Sequence, residues 1–279
     1  GKTFVNVALI AKLIQNGIRP DKILILTYME SAAQTFISRI KTLFPQMISL
    51  PQISTIHGLA NRIIRDDDHP ARLGIPDDVE IADDSVKPII IDYVCIKTMP
   101  DYENPDSWRR FIELGIAKAK SYGIYPKHLK LYVAQQESLK EFYNAYDLYV
   151  KELQSRGLLD FDDLISYSVK LLALHPDVKE KYQQKFEYII EDEAQDSSKA
   201  QQTLLSILQG HYGNYVRTGD INQAIMTTIT PVDVDGFKNF IEEADTKVEM
   251  DVSQRCAKDI YTLANELIDW TQQKQDLKN

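Results

Sequence analysis

Residues 186–196 read Phe-Glu-Tyr-Ile-Ile-Glu-Asp-Glu-Ala-Gln-Asp. The apolar half of this stretch is typical of a buried strand, and the two serines that follow it predict the start of a helix. Asp192 and Glu193 stand at the predicted strand end, where neighbouring side chains can point to different sides of one site. One carboxylate can then hold magnesium while the other polarises an attacking water, so we interpret the stretch as part of a nucleotide-hydrolysing site. A solvated acidic turn is the alternative interpretation.

The chain begins with Gly1-Lys2-Thr3, which matches the last three residues of the phosphate-binding pattern GxxxxGK[ST]. The apolar periodicity of residues 4–14 predicts that a helix follows directly. In a phosphate-binding loop, the Lys2 ammonium would meet the β- and γ-phosphates and the Thr3 hydroxyl would bind magnesium at the helix N-terminus. Such a triplet is common by chance and can also simply begin a helix, so both interpretations stay open. We expect the rest of the loop to precede Gly1 in a longer protein.

A second polar strand end is predicted at residues 217–223, which read Arg-Thr-Gly-Asp-Ile-Asn-Gln. Gly219 would permit a tight exit from the strand, and the Gln223 amide could sense a γ-phosphate or orient a water molecule. Two polar strand ends of this kind favour one shared site.

The periodicity of the chain predicts an α/β fold, with a parallel sheet flanked by helices and an inserted all-α subdomain. Short β-type runs occur at 22–27, 51–56, 186–192, 214–219 and 246–252. Residues 57–185 have helical periodicity, and Asp-Asp-Asp-His-Pro at 66–70 marks the entry to the insert. We therefore predict an ATP-binding domain in two parts, 1–65 and 186–279, with the helical insertion at 66–185.

Composition is that of an ordinary globular protein, with 44% apolar and 26% charged residues among 279. The sequence has no apolar run long enough for a membrane span and no basic-then-apolar N-terminal signal, so we expect a cytoplasmic protein without membrane contact. Cys95 and Cys256 are far apart and predict neither a metal nor a disulfide framework. The net charge of −9 argues against a protein that coats duplex DNA, but not against a motor that grips a few nucleotides.

Several motifs, taken in chain order, resemble those of the UvrD/Rep/PcrA group of superfamily 1 DNA helicases. The segments that carry the resemblance are Gly1-Lys2-Thr3, Leu26-Thr27-Tyr28-Met29-Glu30-Ser31-Ala32-Ala33, Ser54-Thr55-Ile56-His57-Gly58, Leu158-Leu159-Asp160-Phe161-Asp162-Asp163-Leu164, Asp192-Glu193-Ala194-Gln195-Asp196, Gly219-Asp220-Ile221-Asn222-Gln223 and Ser253-Gln254-Arg255-Cys256. Agreement in order over nearly the whole chain is improbable by chance.

The resemblance implies a RecA-like P-loop NTPase domain of an ATP- and Mg²⁺-dependent helicase or translocase that moves on single-stranded DNA. It implies site residues of four kinds: for ATP, Gly1, Lys2, Thr3, Gln223 and Arg255; for magnesium, Thr3 and Asp192; for catalysis, Glu193, Gln223 and Arg255; for nucleic acid, Thr27, Tyr28, Thr55 and His57. It also implies a second RecA-like motor domain in the full-length chain, without which hydrolysis would be weak or absent.

The sequence departs from the resemblance where aromatic residues would stack on bases. Ile56, Met226 and Thr228 occupy such positions, and Glu30 would place a carboxylate near a DNA phosphate. These departures motivate an alternative, a non-unwinding regulator that keeps the nucleotide switch and acts through protein partners. A P-loop kinase or GTPase is a third alternative, but it explains neither the Gly-Asp-x-x-Gln segment nor Arg255.

Overall fold

The computed structural model describes residues 1–99, 104–133, 136, 139–210, 212–224, 231–250, 252 and 256–276. The helices described are α1 (Lys2–Gln15), α2 (Glu30–Leu43), α3 (Ile56–Arg65), α4 (His69–Leu73), α5 (Lys87–Thr98), α6 (Pro105–Ser121), α7 (Pro126–Val133), α8 (Lys140–Ser155), α9 (Phe161–Leu174), α10 (Pro176–Lys185), α11 (Lys199–Gln209), α12 (Val234–Glu243) and α13 (Lys258–Asp276). The strands are β1 (Ile23–Thr27), β2 (Gln52–Thr55), β3 (Glu80–Ile81), β4 (Leu158–Leu159), β5 (Tyr188–Asp192) and β6 (Tyr215–Thr218). In this part of the chain, no helix has the length and apolarity needed to cross a membrane.

The main sheet has four strands in the order β2-β1-β5-β6, and every neighbouring pair is parallel. The register pairs Thr27 with Thr55 and Asp192 with Thr218, so the carboxyl ends of all four strands lie along one edge. Helices follow β1, β2 and β5, as parallel connections require. The predicted parallel sheet flanked by helices is confirmed.

Both faces of the sheet are covered, which explains why β1 is an unbroken apolar run. Ile23 and Ile25 pack with α1 and α2 on one face, while Leu24 and Leu26 pack with α3, α9 and α11 on the other. All of these side chains are fully buried. Strands buried on both faces are expected to be continuously hydrophobic rather than alternating.

The fifth predicted strand is wrong over the residues that the structure describes. Residues 246–250 form neither strand nor helix, and Val248 and Met250 are 81% and 49% exposed. Their alternating pattern resembles a strand, but no strand in the described ranges pairs with them. Without a partner ladder, a β-type pattern has no means of satisfying its backbone groups within a sheet.

The predicted insert is mostly helical and contains a hydrophobic core of its own. Side chains of α5, α6 and α8, including Ile91, Ile112 and Tyr149, form a cluster separate from the sheet. Helices α9 and α10 of the same segment pack instead with the sheet and α3. The sequence did not predict the short parallel pair β3-β4 within this segment. The domain boundaries at 66 and 186 stay predictions.

Candidate nucleotide-binding site

The two predicted polar strand ends meet because β5 and β6 are neighbours. Asp192 and Thr218 are register partners at the carboxyl ends of these strands, and the Thr218 hydroxyl donates a 2.8 Å hydrogen bond to Asp192 Oδ1. Helix α1 lies against the same edge, with the Thr3 hydroxyl 3.5 Å from Asp192 Oδ2. The structure therefore brings the start of the chain to the acidic strand end, as the sequence predicts.

Asn6 is a part of this site that the sequence analysis missed. Its side chain is fully buried, and its amide nitrogen donates to Asp192 Oδ1 at 3.2 Å and to the Thr218 hydroxyl at 2.8 Å. Asn6 thus ties α1 to both strands and orients the carboxylate. Asn6 could have been recognised from the sequence, because an amide on the apolar face of a helix is expected to be buried. A buried polar group needs hydrogen-bond partners.

The Asp192 carboxyl is buried, with 5% of the residue exposed. Burial raises its pKa above the ordinary value, and the nearby Glu193 charge adds to that effect. The hydrogen bond from Thr218 and the charge of Lys2 act in the opposite direction, but the net pKa shift is upward. A neighbouring cation would favour the charged form of this carboxyl.

Glu193 has a left-handed backbone with φ of 55°, which is uncommon for a residue with a side chain. This conformation turns the chain directly after Asp192, so the two neighbouring carboxylates leave the strand in different directions. The Lys2 ammonium contacts Glu193 Oε2, and the Gln195 side-chain amide donates to the same oxygen at 3.0 Å. Gln195 also accepts a 3.0 Å hydrogen bond from the Asp220 N–H and so joins the two strand-end segments.

Gln223 completes the cluster around the start of α1. The Lys2 ammonium donates to Gln223 Oε1 at 3.3 Å, and the Gln223 amide donates to Asp220 Oδ2 at 2.7 Å. Gly1 precedes α1 at its N-cap position, where an added Cβ would meet no atom within 4 Å. The predicted site residue Arg255 lies outside the described residues.

Gly219 is required for close packing rather than for an unusual backbone. A Cβ at this position would lie 2.7 Å from the Phe237 ring and 2.8 Å from Gln195 Oε1. Its φ is not among the positive values found in the described chain. The structure shows a steric role for this glycine: the absent side chain leaves room for Gln195 and Phe237. The tight strand exit stays a prediction.

A family profile described as UvrD/REP helicase N-terminal domain matches residues 1–227. The chain belongs to this family. The chain is 34% identical over 229 residues to the ATP-dependent DNA helicase PcrA of Leuconostoc citreum, a match that covers 81% of this chain and 30% of that protein. PcrA proteins of Staphylococcus epidermidis and Staphylococcus aureus are 31% and 30% identical over 280 residues, covering 96% of this chain and 36% of each relative. The chain spans about a third of the length of these relatives.

Membership of the UvrD/REP family confirms the resemblance and the RecA-like fold predicted from the motifs. The match includes the phosphate-binding triplet, the acidic end of β5 and Gln223, which the structure places together. It ends before residues 253–256, the last of the motif segments.

Two of the residues predicted to contact nucleic acid in this UvrD/REP domain form side-chain hydrogen bonds with nearby backbone groups. Thr27 is buried and donates to the Met29 carbonyl oxygen at 3.0 Å. Thr55 caps α3, where its hydroxyl accepts a 3.0 Å hydrogen bond from the Gly58 N–H. Thr27 and Thr55 lie at the carboxyl ends of β1 and β2. Their hydroxyls stabilise the backbone that follows each strand.

Tyr28 and His57 are partly exposed beyond the same two strand ends. The His57 ring packs edge-to-face with Phe161 at a centroid distance of 5.7 Å, and Phe161 is 44% exposed. Burial lowers the pKa of His57, an effect that nearby Asp160 partly opposes. Phe161 had no predicted role, although it is an aromatic residue at the first position of a helix capped by Asp160.

Ile56 does not take the place of a base-stacking residue in this structure. Its side chain is buried, with 4% exposed, and packs in the core beneath α3. Glu30 is exposed at the first position of α2. Met226 and Thr228 lie outside the described residues.

Proposed function

We propose that this chain is the ATP-binding domain of a DNA-translocating motor. The observation that carries the proposal is the meeting of Lys2, Glu193 and Gln223, which come from three separate segments and join at the Lys2 ammonium. A cation, a carboxylate and an amide at the carboxyl ends of parallel strands suit phosphoryl transfer, because that reaction depends on positioning and on neutralising charge.

Magnesium is the proposed metal because the available donors are hard oxygens. Thr3 and Asp192 supply a hydroxyl and a carboxylate 3.5 Å apart, and Asn6 and Thr218 orient that carboxylate. The described residues contain no cluster of three or more His, Cys, Asp or Glu that could hold a metal alone. Magnesium usually binds through one or two carboxylates together with substrate phosphates, which fits this donor set. The bound ion would supply neutralising charge to those phosphates.

ATP phosphates are the proposed partner of Lys2. Its side chain is 14% exposed, and Glu193 and Gln223 hold its ammonium near the start of α1. A phosphate oxygen would compete with Glu193 for that ammonium. The helix N-terminus adds backbone N–H groups that favour an anion.

Glu193 is the proposed group that polarises the attacking water. Gln195 fixes one of its carboxylate oxygens, while 39% of the side chain remains exposed. A positioned carboxylate with access to water is what general-base catalysis requires. Gln223 and Arg255 are proposed to sense the γ-phosphate.

Single-stranded DNA and a second motor domain are the proposed partners. The relatives are named ATP-dependent DNA helicases, and this chain corresponds to about a third of their length. The strand would lie at the carboxyl ends of β1 and β2, near Thr27, Tyr28, Thr55, His57 and Phe161. We expect the isolated chain to hydrolyse ATP slowly, because another domain would supply further groups, and we place the protein in the cytoplasm. The relatives described above are all named helicases, which gives the regulator alternative no support.

Two substitutions at the strand end test the proposal. Glu193→Gln should preserve binding of a fluorescent ATP analogue to this chain, and should lower ATP hydrolysis by the full-length protein about 10²–10⁴-fold. Asp192→Asn should instead remove the part of nucleotide binding that depends on Mg²⁺.

Glu187→Gln, the same chemical change just before β5, is the matched control and should leave both measurements unchanged. Near-parental hydrolysis by the Glu193→Gln protein would show that another group activates the water. Nucleotide binding with the same Mg²⁺ dependence in the Asp192→Asn and parental chains would show that Asp192 does not bind the metal.

A further inference from the structure

A concave site lined by other residues than the nucleotide-binding site lies between the insert and the sheet domain. Its cavity of about 610 Å³ is bounded by the turn after α6, by α7 and α8, and by α9 and α11. This volume lies within the range of about 300–1,000 Å³ that is typical of small-ligand sites. Neither Lys2, Asp192, Glu193 nor Gln223 lines it.

The walls of the cavity include three tyrosine rings, and one of them is held in place. Tyr125 is fixed at its far end, because its hydroxyl donates a 3.0 Å hydrogen bond to Asp163 Oδ1. Behind it, Tyr146 stacks at a centroid distance of 6.4 Å and an interplanar angle of 27°. Tyr122 and Tyr167 line other parts of the cavity. Fixed aromatic rings offer a flat apolar surface at low entropic cost on binding.

Lysines stand beside these rings and give the cavity surplus positive charge. The Lys199 ammonium lies 5.8 Å from the centre of the Tyr122 ring, and the Lys170 ammonium lies 5.5 Å from that of Tyr167. Lys127 and Lys151 also line the cavity.

Asp147 is the one carboxylate among the described lining residues, and it pairs with Lys151 at 2.7 Å. Among the lining residues, Lys127, Lys170 and Lys199 therefore outnumber the negative charges, although the whole chain carries −9. A concave surface with low-dielectric walls concentrates such a local field and attracts anions.

We propose that this cavity binds a nucleotide, with its phosphate at Lys170 and Lys199 and its base against the tyrosine rings. Basic groups interleaved with aromatic rings are the usual means of holding a nucleotide without reading its sequence. The nucleotide is either free or part of a single strand.

Binding of two probes to the 279-residue chain tests the proposal and separates the two sources. The probes are thymidine 5′-monophosphate and an oligothymidylate of about ten nucleotides, a length within the usual site size of single-strand binders. All proteins in this test carry Lys2→Ala. The proposed ATP site then contributes equally little to probe binding in each of them. The test does not depend on ATP hydrolysis, and its failure would leave the proposed function unaffected.

The test variant is Lys170→Gln with Lys199→Gln, and the matched control is Lys41→Gln with Lys97→Gln. Both remove two positive charges from exposed positions, and Lys97 also lies over a tyrosine ring, that of Tyr93, at 5.7 Å. We expect the test variant to bind at least one probe about tenfold more weakly, a change of about 1.4 kcal/mol. The control should bind both probes as tightly as its Lys2→Ala background.

Weakened binding of the monophosphate assigns the cavity to a free nucleotide, and weakened binding of the oligonucleotide alone assigns it to a strand. Equal affinities in the test and control proteins would overturn the proposal, as would a background protein that binds neither probe. Lysine acetylation of the unsubstituted chain gives a readout that does not depend on the variants folding. Bound probe should protect Lys170 and Lys199 but not Lys41 and Lys97, and equal acetylation with and without probe would also overturn the proposal.

Discussion

Glu191 and Arg217 form a buried ion pair across neighbouring strands, with Arg217 Nε 2.7 Å from Glu191 Oε2. The two residues are register partners on β5 and β6, and their side chains are 1% and 2% exposed. The Ser197 and Tyr215 hydroxyls donate to the same carboxylate. Arg217 also donates to the Ala194 carbonyl oxygen at 3.4 Å, within the turn that carries the proposed catalytic carboxylate. Consecutive strand residues point to opposite faces of a sheet, so the ion pair stabilises the carboxyl end of β5 on the face opposite to Asp192.

Arg217→Met is expected to lower the free energy of unfolding by about 3–5 kcal/mol, because it leaves a buried carboxylate without its cation. Denaturant unfolding followed by circular dichroism would measure the loss. The double variant Glu191→Leu with Arg217→Met should lose less than Arg217→Met alone, since neither charge remains. A double variant that loses as much as the sum of the single variants would show that the pair is not coupled.

Lys120→Met is expected to destabilise the insert by a similar amount. The Lys120 ammonium is fully buried and lies 2.7 Å from Asp160 Oδ2 and 2.7 Å from Asp163 Oδ1. Burial by itself would raise the pKa of Asp160, but Lys120 outweighs it and holds that pKa well below the usual range. Removing the cation leaves two carboxyls in the core, at a cost of about 3–5 kcal/mol in unfolding free energy. Lys118→Met, at an exposed position of the same helix, should change it by no more than about 0.5 kcal/mol.

Asp162→Asn is expected to change how stability depends on pH. Burial, together with nearby Asp160, raises the pKa of Asp162 to about 6 in the folded protein, against about 4 when unfolded. The folded state thus holds this proton more tightly, so the contribution of Asp162 to unfolding free energy falls as pH rises from about 4 to about 6. Above about pH 6 the loss of unfolding free energy due to Asp162 is constant and is at most about 3 kcal/mol.

Thermal unfolding at acidic and neutral pH would measure this effect. The Asp162→Asn protein should gain stability over the parent at neutral pH and little near pH 4, because the asparagine carries no titrating proton. Asp106→Asn, at an exposed position in the first turn of α6, should follow the parent at both pH values. The same pH profile for the Asp162→Asn and parental proteins would contradict the prediction.

Ile56→Phe is expected to destabilise the domain without strengthening its binding to single-stranded DNA. Ile56 is buried between the sheet and its covering helices, so the larger ring must displace packed neighbours at a cost of about 1–3 kcal/mol. Met29→Phe, at a position that is 61% exposed near the same sheet edge, should be nearly neutral in stability. Fluorescence titration with oligothymidylate and denaturant unfolding would give both quantities. Tighter binding of the oligonucleotide by a stable Ile56→Phe protein would contradict the prediction and place this side chain against the bound strand.

The sequence alone predicted the main sheet and the acidic end of β5. Strand β1 is a continuous apolar run because both of its faces are buried. Such a run can be recognised in a short window of sequence. The carboxylates of Asp192 and Glu193 come just after a short apolar run that ends at Ile190, so their place at a strand end could be predicted without any tertiary contact. The order of the short motifs then indicated the family.

Only the tertiary structure decided which polar side chains act together. Asn6 and Asp192 are 186 positions apart, and Glu191 meets Arg217 because β5 and β6 are neighbours in one particular register. Strand order is set by how the helices pack over the whole sheet, which no short window of sequence contains. The same holds for Ile56, since a residue at the start of α3 faces the core or the solvent according to where α9 packs. Local pattern therefore determined the elements and their ends, and long-range packing determined the contacts made by the side chains at those ends.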